Sequence, residues 1–200
     1  MASVEIYRAQ LTREPFLWRE MCVTARLLTE GVPLEEIGER VFRDNLFQYP
    51  TEKSLKRMAR ACVLRLQRLE DAEAVRLIAE APATVSQQLC LYALLKDSRL
   101  LRDFMLQVIA VKYQQHDLHC SRADVRAFFL QLQGQNEQVA AWSDSTIQKI
   151  SGVIMGILIQ LGYLANQRSE ELQLVYLQPQ VREIMERHGD QAWLAMFYTV

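Results

Sequence analysis

Apolar residues recur at steps of three and four positions along most of the chain, which is the spacing of one face of an α-helix. Between Phe16 and Leu28, for example, the apolar positions follow this rule, and Gly31 marks the end of the run. A further helical turn is expected at the C-terminal end, with Trp193 and Phe197 packed inward. The sequence therefore predicts a mainly α, multi-helix globular fold. The predicted helices cover residues 13–28, 33–44, 52–69, 70–80, 83–96, 99–115, 123–133, 145–162 and 179–189.

Several of these helices have a recognisable start. Thr51 stands before the third helix and is of the residue type that caps helix N-termini. Ser121, followed three positions later by Asp124, forms a capping-box signature before the seventh. Ser143 or Asp144 caps the eighth. Local end signals thus agree with the hydrophobic pattern.

The hydrophobic period changes after Gly162. Two β-prone runs, residues 163–165 and 172–177, flank the polar turn NQRSEE and indicate a two-stranded hairpin. Helix, helix, loop, longer helix and hairpin, in this order, are typical of a winged helix-turn-helix, whose third helix enters the DNA major groove. We therefore expect helix-turn-helix elements and a C-terminal winged-helix-like hairpin. They would lie in a domain of residues 100–200, with terminal helices, after an N-terminal helical domain of residues 1–99 containing the basic helix 52–69.

The helix before the hairpin has isoleucines on its inward side and mostly small residues on the opposite side. Small residues would let its backbone approach DNA closely, and the tip of the hairpin is a suitable place for a phosphate contact. Winged helices also serve as protein-interaction modules, so that alternative stays open. The candidate DNA contacts here are Ser145, Thr146, Gln148, Lys149 and Arg168.

Charge changes the interpretation of the third helix. The net charge of the 200 residues is −1, which excludes a generic polycation. Residues 53–68, however, contain six basic residues and no acidic one, whereas exposed helices usually mix both signs. Such a face indicates an anionic partner. The alternative is a solvated face that pairs with the glutamates of the preceding helix, Glu35, Glu36 and Glu39. The candidate contacts, which share an arc of about 120°, are Lys53, Lys56, Arg57, Arg60 and Arg68.

No signature of a metal site, a cofactor or an enzyme is found. The four cysteines form no Cys-x-x-Cys pair, which argues against a zinc ribbon and a thioredoxin motif. His116, His119 and Cys120 lie close together, but a structural zinc needs a fourth ligand, so a polar linker is the simpler interpretation. Gly-rich phosphate loops, Gly-x-Ser-x-Gly and His-Glu-x-x-His are absent from the sequence. We expect no metal, no cofactor and no catalysis.

Residues 150–167 contain no charged residue, yet they do not read as a membrane span. Their glycines, glutamines and Asn166 leave only short apolar runs, whereas a bilayer requires roughly 20 predominantly apolar residues. The charged N-terminal region does not resemble a secretory signal. A cytoplasmic protein with reduced thiols and no membrane partner is therefore expected.

Three stretches together resemble one known family. They are EEIGERVFRDNLFQYPTEKSLKRMARACVLRLQRL (35–69), LCLYALLKDSRLLRDFMLQVIAVKY (89–113) and AAWSDSTIQKISGVIMGILIQLGYL (140–164). In this order the stretches resemble the BrxA family, whose members are encoded at the start of bacterial BREX phage-defence operons. With the total length, the likeness covers nearly the whole chain.

The resemblance implies a non-enzymatic, predominantly helical protein that binds double-stranded DNA and has a body similar to the antitermination factor NusB. It also implies work beside other BREX proteins, namely an ATPase, a methyltransferase, a phosphatase-like protein and a protease-like protein. The leading hypothesis is a DNA-binding accessory protein that contacts mainly phosphates, with weak sequence preference. The alternatives are a protein-interaction adaptor within the defence complex and a NusB-like RNA-binding factor.

Overall fold

The computed structural model describes residues 6–198 and is mainly α, as predicted. Contacts between residues divide the chain into two compact units. The first unit is Phe16–Asp97, and the second consists of Met1–Pro15 and Ser98–Val200. Residues 6–15 thus group with the C-terminal part of the chain. The division into separate domains at residues 99 and 100 stays a prediction.

The first unit contains five helices. One part of its core lies between the second and third of them, where Ile37 and Val41 pack against Leu55 and Ala59. The fifth helix has buried residues on nearly all sides, which explains why its sequence shows little polar periodicity. These helices are α1 (Trp18–Thr29), α2 (Leu34–Arg43), α3 (Glu52–Leu69), α4 (Ala72–Glu80) and α5 (Ala83–Asp97).

The second unit contains six α-helices among its described residues, and its core is rich in phenylalanine. Phe104 and Phe129 each meet Phe128 edge to face, with ring centroids 5.4 and 5.5 Å apart. Short 3₁₀ helices lie at Ala9–Thr12 and Gln191–Met196. The α-helices are α6 (Arg99–Phe104), α7 (Val111–Gln114), α8 (Arg122–Gln135), α9 (Glu137–Ala140), α10 (Asp144–Gln160) and α11 (Pro179–Arg187).

The predicted caps hold these helices at their starts. The hydroxyl of Thr51 accepts a hydrogen bond from the Ser54 N–H, and Ser143 does the same for the Thr146 N–H, at 3.4 and 3.3 Å. Ser121 and Asp124 form the full capping box of α8. All three cap predictions are confirmed. α3 also has the bounds that the sequence predicts.

Two helix predictions are wrong in detail. α1 begins at Trp18 rather than near residue 13, because Leu17 adopts a left-handed conformation with φ of 55° and interrupts the helix there. The predicted helix of residues 99–115 is divided by a π-helical segment, Met105–Ala110. The terminal helical turn exists as Gln191–Met196, and the last two residues of that prediction lie outside the described residues.

The predicted hairpin after α10 is not confirmed, because residues 6–198 contain no strand. Single hydrogen bonds replace the ladder: the Gln173 N–H donates to Tyr163 O at 2.8 Å, and the Leu172 N–H donates to Leu118 O at 2.9 Å. The Tyr113 hydroxyl donates to Gln173 O and accepts the Val175 N–H at 3.2 Å. A side chain therefore satisfies backbone groups that a second strand would otherwise pair.

Candidate nucleic-acid interface

The outer side of α3 is basic because its inner side is fixed by packing. The helix buries apolar residues at three- and four-residue steps, which turns the cations between them outward. Lys53, Lys56 and Arg60 are exposed, and Arg57 is half-buried. The buried residues of the inner side are Leu55, Met58, Ala59, Ala61, Cys62, Arg65, Leu66 and Leu69.

Most of the outward cations lack a protein carboxylate. Lys56 pairs with Glu52 one turn earlier and lies 4.6 Å from the centre of the Phe42 ring. Lys53, Arg57 and Arg60 form no ion pair within residues 6–198. The Arg57 Nε is buried and meets no hydrogen-bond acceptor in the part of the chain that the structure describes. The charge of this face is therefore available to an anion.

The three glutamates of α2 lie beside this face without pairing to it. An open groove of about 1040 Å³ runs between α2 and α3, with Glu35, Glu36 and Glu39 along one side and Lys56 and Arg60 along the other. Among the described residues, none of the three carboxylates forms an ion pair with α3. The alternative prediction, in which they neutralise the basic face by direct pairing, is not realised in this structure.

The two remaining cations of α3, Arg65 and Arg68, both pair with Asp97. Arg65 is fully buried, donates to the Phe16 carbonyl at 3.3 Å and reaches Asp97 at 3.4 Å. Arg68 pairs with the same Asp97 and keeps a partly exposed side chain. Asp97 at the end of α5 therefore holds one buried cation and one of the predicted DNA contacts.

α10 has three distinct sides. One side is buried in the core of its unit, and a second faces α8 across an open groove of about 680 Å³. The third side carries Ser145, Lys149 and Gln160, all exposed, and none of them lines the groove. At about 100° per residue, this third side lies next to the groove side.

The structure therefore divides the candidate contacts of α10. Gln148 lines the groove together with Gly152 and Gly156, whereas Ser145 and Lys149 do not. The Thr146 hydroxyl lies 3.0 Å from the Ser143 hydroxyl, so it belongs to the N-terminal cap. At about 100° per residue, Gly152 and Gly156 lie within about 60° of Lys149, so the groove borders the side of α10 that carries Lys149.

Arg168 is exposed in the turn that follows α10. The Asn166 carboxamide oxygen accepts the N–H groups of Arg168 and Ser169 at 2.9 and 3.1 Å, which fixes the backbone of this turn. The Arg168 guanidinium thus lies on a hydrogen-bonded turn rather than at the tip of a pair of strands.

Two arginines of α8 are not among the contacts that the sequence predicts. Arg122 and Arg126 are exposed, lie one turn apart and line the groove to α10. Neither forms an ion pair within the described residues. Their four-residue spacing was a usable signal, but only the packing of α8 against α10 shows that both point to the same groove.

A buried lysine orients the start of α8. Lys112 contacts Asp117 at 2.8 Å and Asp124 at 2.9 Å. Burial alone would lower the pKa of Lys112, but its hydrogen bonds to the two carboxylates raise it. Burial likewise opposes the shift of Asp124, yet the Ser121 N–H and Lys112 lower the pKa of this carboxyl, and Lys112 lowers that of Asp117. This cluster positions the helix that bears Arg122 and Arg126.

The His116 to Cys120 segment offers no metal geometry. His119 is exposed and contacts Glu170 at 3.2 Å, while Cys120 is buried, which raises the pKa of its thiol to about 11. Within residues 6–198 no group of three or more His, Cys, Asp or Glu side chains could hold a metal ion. Among the same residues, no helix is both long and apolar enough to cross a bilayer.

The chain is similar to several known proteins over most of its length. A family model described as BrxA matches residues 5–189. BREX protein BrxA of Bacillus cereus (strain H3081.97) is 32% identical over 191 residues, which cover 95% of both chains. BREX protein BrxA of Escherichia coli O9:H4 (strain HS) is 30% identical over 177 residues, 88% of this chain and 83% of that protein.

More distant likenesses extend over the same length. BREX protein BrxA of Paramagnetospirillum magneticum (strain ATCC 700264 / AMB-1) is 22% identical over 185 residues, 92% of each chain. A crystal structure of an uncharacterized protein from Magnetospirillum magneticum superposes with a TM-score of 0.82 at 20% identity, over 96% of this chain and 99% of that one. The solved structure supports the fold. Together with the extent of the family match, these relatives show that the chain belongs to the BrxA family.

Proposed function

We propose that this protein is a non-enzymatic accessory protein of a BREX bacteriophage-defence system and that it binds double-stranded DNA mainly through phosphate contacts. The observation that carries the proposal is the outer side of α3, where Lys53, Arg57 and Arg60 form no ion pair within the described residues. Cations on one helix face attract a linear polyanion, and neutralised phosphates release counterions into solution.

The proposed contacts on α3 differ in how exposed they are and in whether they already pair with a carboxylate. Lys53 and Arg60 are exposed and unpaired among the described residues, so their charge is fully available. Lys56 would exchange Glu52 for a phosphate, and Arg68 would do so only in competition with Asp97. Arg57 offers its terminal nitrogens from a half-buried position. Because no base-reading pair of side chains stands out, sequence preference is expected to be weak.

The second unit contributes a helix-turn-helix arrangement in this proposal. α8 and α10 are joined through the short α9, and α10 displays Ser145 and Lys149 on an open side. Thr146 and Gln148 extend the proposed contacts at its N-terminal end, and Arg168 adds a phosphate contact from the following turn. The winged-helix relationship rests on the order of these elements, and the likeness to NusB stays a prediction.

The relatives carry the name BREX protein BrxA, which favours work beside other BREX proteins. The family resemblance points to an ATPase, a methyltransferase and a phosphatase-like protein as possible partners. No catalytic role is proposed for any residue. Nuclease, ATPase or methyltransferase activity that persists through rigorous purification would contradict the non-enzymatic assignment.

A fluorescence titration of labelled duplex DNA at several salt concentrations tests the proposal. Affinity should fall steeply with salt, because each neutralised phosphate contributes about −0.9 to the slope of log K against log salt. The triple variant Lys53→Glu, Lys56→Glu, Arg60→Glu should bind roughly a hundredfold more weakly at ~0.1 M salt, and its slope should be smaller by about 3.

A matched control changes the net charge equally at exposed arginines elsewhere, namely Arg13→Glu, Arg19→Glu and Arg76→Glu. This control should keep most of the affinity, whereas equal losses would mean that only net charge matters. Salt-independent binding, or a triple α3 variant that binds like the wild type, would contradict the proposal. Competition by single-stranded RNA that exceeds competition by duplex DNA would favour the RNA-binding alternative.

A further inference from the structure

The groove between α8 and α10 has a largely apolar lining. Val125 and Phe129 from α8 are buried beneath it, as is Met155 from α10, whereas Ile147 and Ile159 are only half-buried. At its edge the Leu130 side chain is 63% exposed. Leu130 and the half-buried Ile147 and Ile159 thus gather in one groove, which is typical of a binding surface, whereas scattered apolar residues are not.

Charge on the rim has one dominant sign. Arg122 and Arg126 line the α8 side, and neither has an ion-pair partner in the part of the chain that the structure describes. Asp144 is the single acidic residue among those lining the groove. The remaining polar groups are neutral: Gln133, Gln148, Ser151 and Gln167. A ligand that fits both the floor and the rim therefore combines apolar side chains with carboxylates.

The α10 side allows a close approach of another backbone. A Cβ atom added at Gly152 or Gly156 would meet nothing within 4 Å, and both glycines have ordinary helical conformations. The fold itself thus does not require glycine at either position. Without side chains there, a partner helix can lie directly against the backbone of α10.

We infer that this groove binds an amphipathic helical segment of another protein. Its apolar residues, spaced i, i+3 or i+4 and i+7, would occupy the floor, and its aspartates or glutamates would face Arg122 and Arg126. Charge complementarity selects an acidic segment over a basic one. The apolar lining favours such a segment over duplex DNA, because a duplex presents phosphates but no apolar ridge to cover Leu130 and Ile147. The inference does not rest on the DNA-binding proposal, which is carried by α3; of the proposed DNA contacts, Gln148 is the one that lines this groove.

The test uses two synthetic helical peptides of equal length and helicity. Both carry leucine at the i, i+3, i+4 and i+7 positions, one with glutamate and the other with lysine on the flanking positions. Titrated into ¹⁵N-labelled full-length protein, the acidic peptide should shift the amide signals of residues 122–133 and 147–159. Its affinity should exceed that of the basic peptide by at least about tenfold.

A groove-filling variant, Gly152→Leu with Gly156→Leu, should weaken the acidic peptide by at least about tenfold. Since leucine favours helix over glycine and the space is open, this variant should remain folded, which circular dichroism verifies. The matched control is Gly134→Leu, an exposed glycine of α8 that does not line the groove. It should leave peptide binding unchanged. Arg122→Glu with Arg126→Glu should reverse the preference between the two peptides.

Several outcomes would overturn the inference. They include the absence of amide shifts with either peptide, equal affinity for both, and undiminished binding to the groove-filling variant. Loss of duplex DNA binding in that variant without loss of peptide binding would assign the groove to DNA. Loss of self-association in the same variant, measured by analytical ultracentrifugation, would assign it to a second copy of this chain.

Discussion

The outer side of α3 and the exposed surface of α8 and α10 both carry unpaired cations, but they are built differently. All cations of the first surface come from one helix, whose buried stripe fixes their direction. Those of the second come from three segments: Arg122 and Arg126 from α8, Lys149 from α10 and Arg168 from a turn. Periodicity along one helix reveals the first surface. Only tertiary packing assembles the second.

The surroundings of the two surfaces differ as well. α3 borders a groove with glutamates on its far side, while the groove between α8 and α10 has an apolar floor and a single aspartate. A row of cations on one helix suits a regular polyanion, whereas a groove that gathers Leu130, Ile147 and Ile159 suits a protein segment. If the protein binds duplex DNA as proposed, the comparison favours the first surface over the second groove.

The largest effect is expected at a cation of α3 that does not belong to the basic face. Arg65→Met should lower the free energy of unfolding by about 3 kcal/mol, because it removes a buried guanidinium and leaves the Phe16 carbonyl and part of Asp97 without their donor. Urea denaturation measures this loss. Arg60→Met, on the exposed side of the same helix, should change stability by less than about 0.5 kcal/mol. Equal losses of stability would contradict the structural difference between a buried, hydrogen-bonded Arg65 and an exposed Arg60.

The second unit has its own buried cation, and its stability should depend on pH. The folded-state pKa values of Asp117 and Asp124 lie below the ordinary 3.8, so their stabilisation is present above that pH and is lost as the pH falls through the folded values. Asp124→Asn should cost about 2 kcal/mol at pH 7, since Asp124 serves both Lys112 and the Ser121 cap. Thermal melts should show this difference shrinking as the pH falls below the ordinary 3.8.

The exposed Asp144→Asn provides the control for that pH series, because Asp144 forms no ion pair within the described residues, and it should change stability at pH 7 by less than about 0.5 kcal/mol. Lys112, whose pKa is raised, keeps its charge until the pH rises above its ordinary 10.5, so alkaline conditions up to that value should not reproduce the loss. An Asp124→Asn variant that loses as much stability at low pH as the wild type does would contradict the assigned role of this cluster.

The two surfaces also differ in how well the sequence predicts them. α3, its Thr51 cap and the direction of its cations depend on residues within one helix, and the pattern predicted them. The groove between α8 and α10 depends on which helix packs beside Gly152, and periodicity cannot supply that information. The sequence alone therefore does not show that Arg122 and Arg126 lie across the groove from Gly152.

The segment after α10 shows a second limit. Its residues have β propensity, yet their backbone partners are scattered: Cys120 N–H donates to Glu170 O at 2.7 Å, and Tyr113 serves Gln173 and Val175 through its hydroxyl. Propensity describes a preference for extended backbone but not the partner that satisfies it. A pairing with a distant side chain therefore looks the same in sequence as a hairpin.

DNA binding offers a direct comparison of the two surfaces. Lys149→Glu with Arg168→Glu should weaken binding roughly tenfold at ~0.1 M salt and reduce the salt slope by about 2, less than the triple variant of α3. The same fluorescence titration measures both. A larger loss from the second pair than from α3 would reverse the assignment and make the helix-turn-helix the principal DNA surface.

The smallest effect concerns one glycine in each unit. Gly38 in α2 and Gly152 in α10 are both exposed, helical and open to a Cβ atom within the chain. Alanine at either position should raise the free energy of unfolding by about 0.5–1 kcal/mol, because it favours helix and restricts the unfolded chain. Urea denaturation should give similar gains for the two variants. Because a single methyl group fills little of the groove, Gly152→Ala should also retain most of the affinity for the acidic peptide. Destabilisation by Gly152→Ala alone would show instead that this glycine serves the fold of its own unit, and the two exposed glycines would no longer be equivalent.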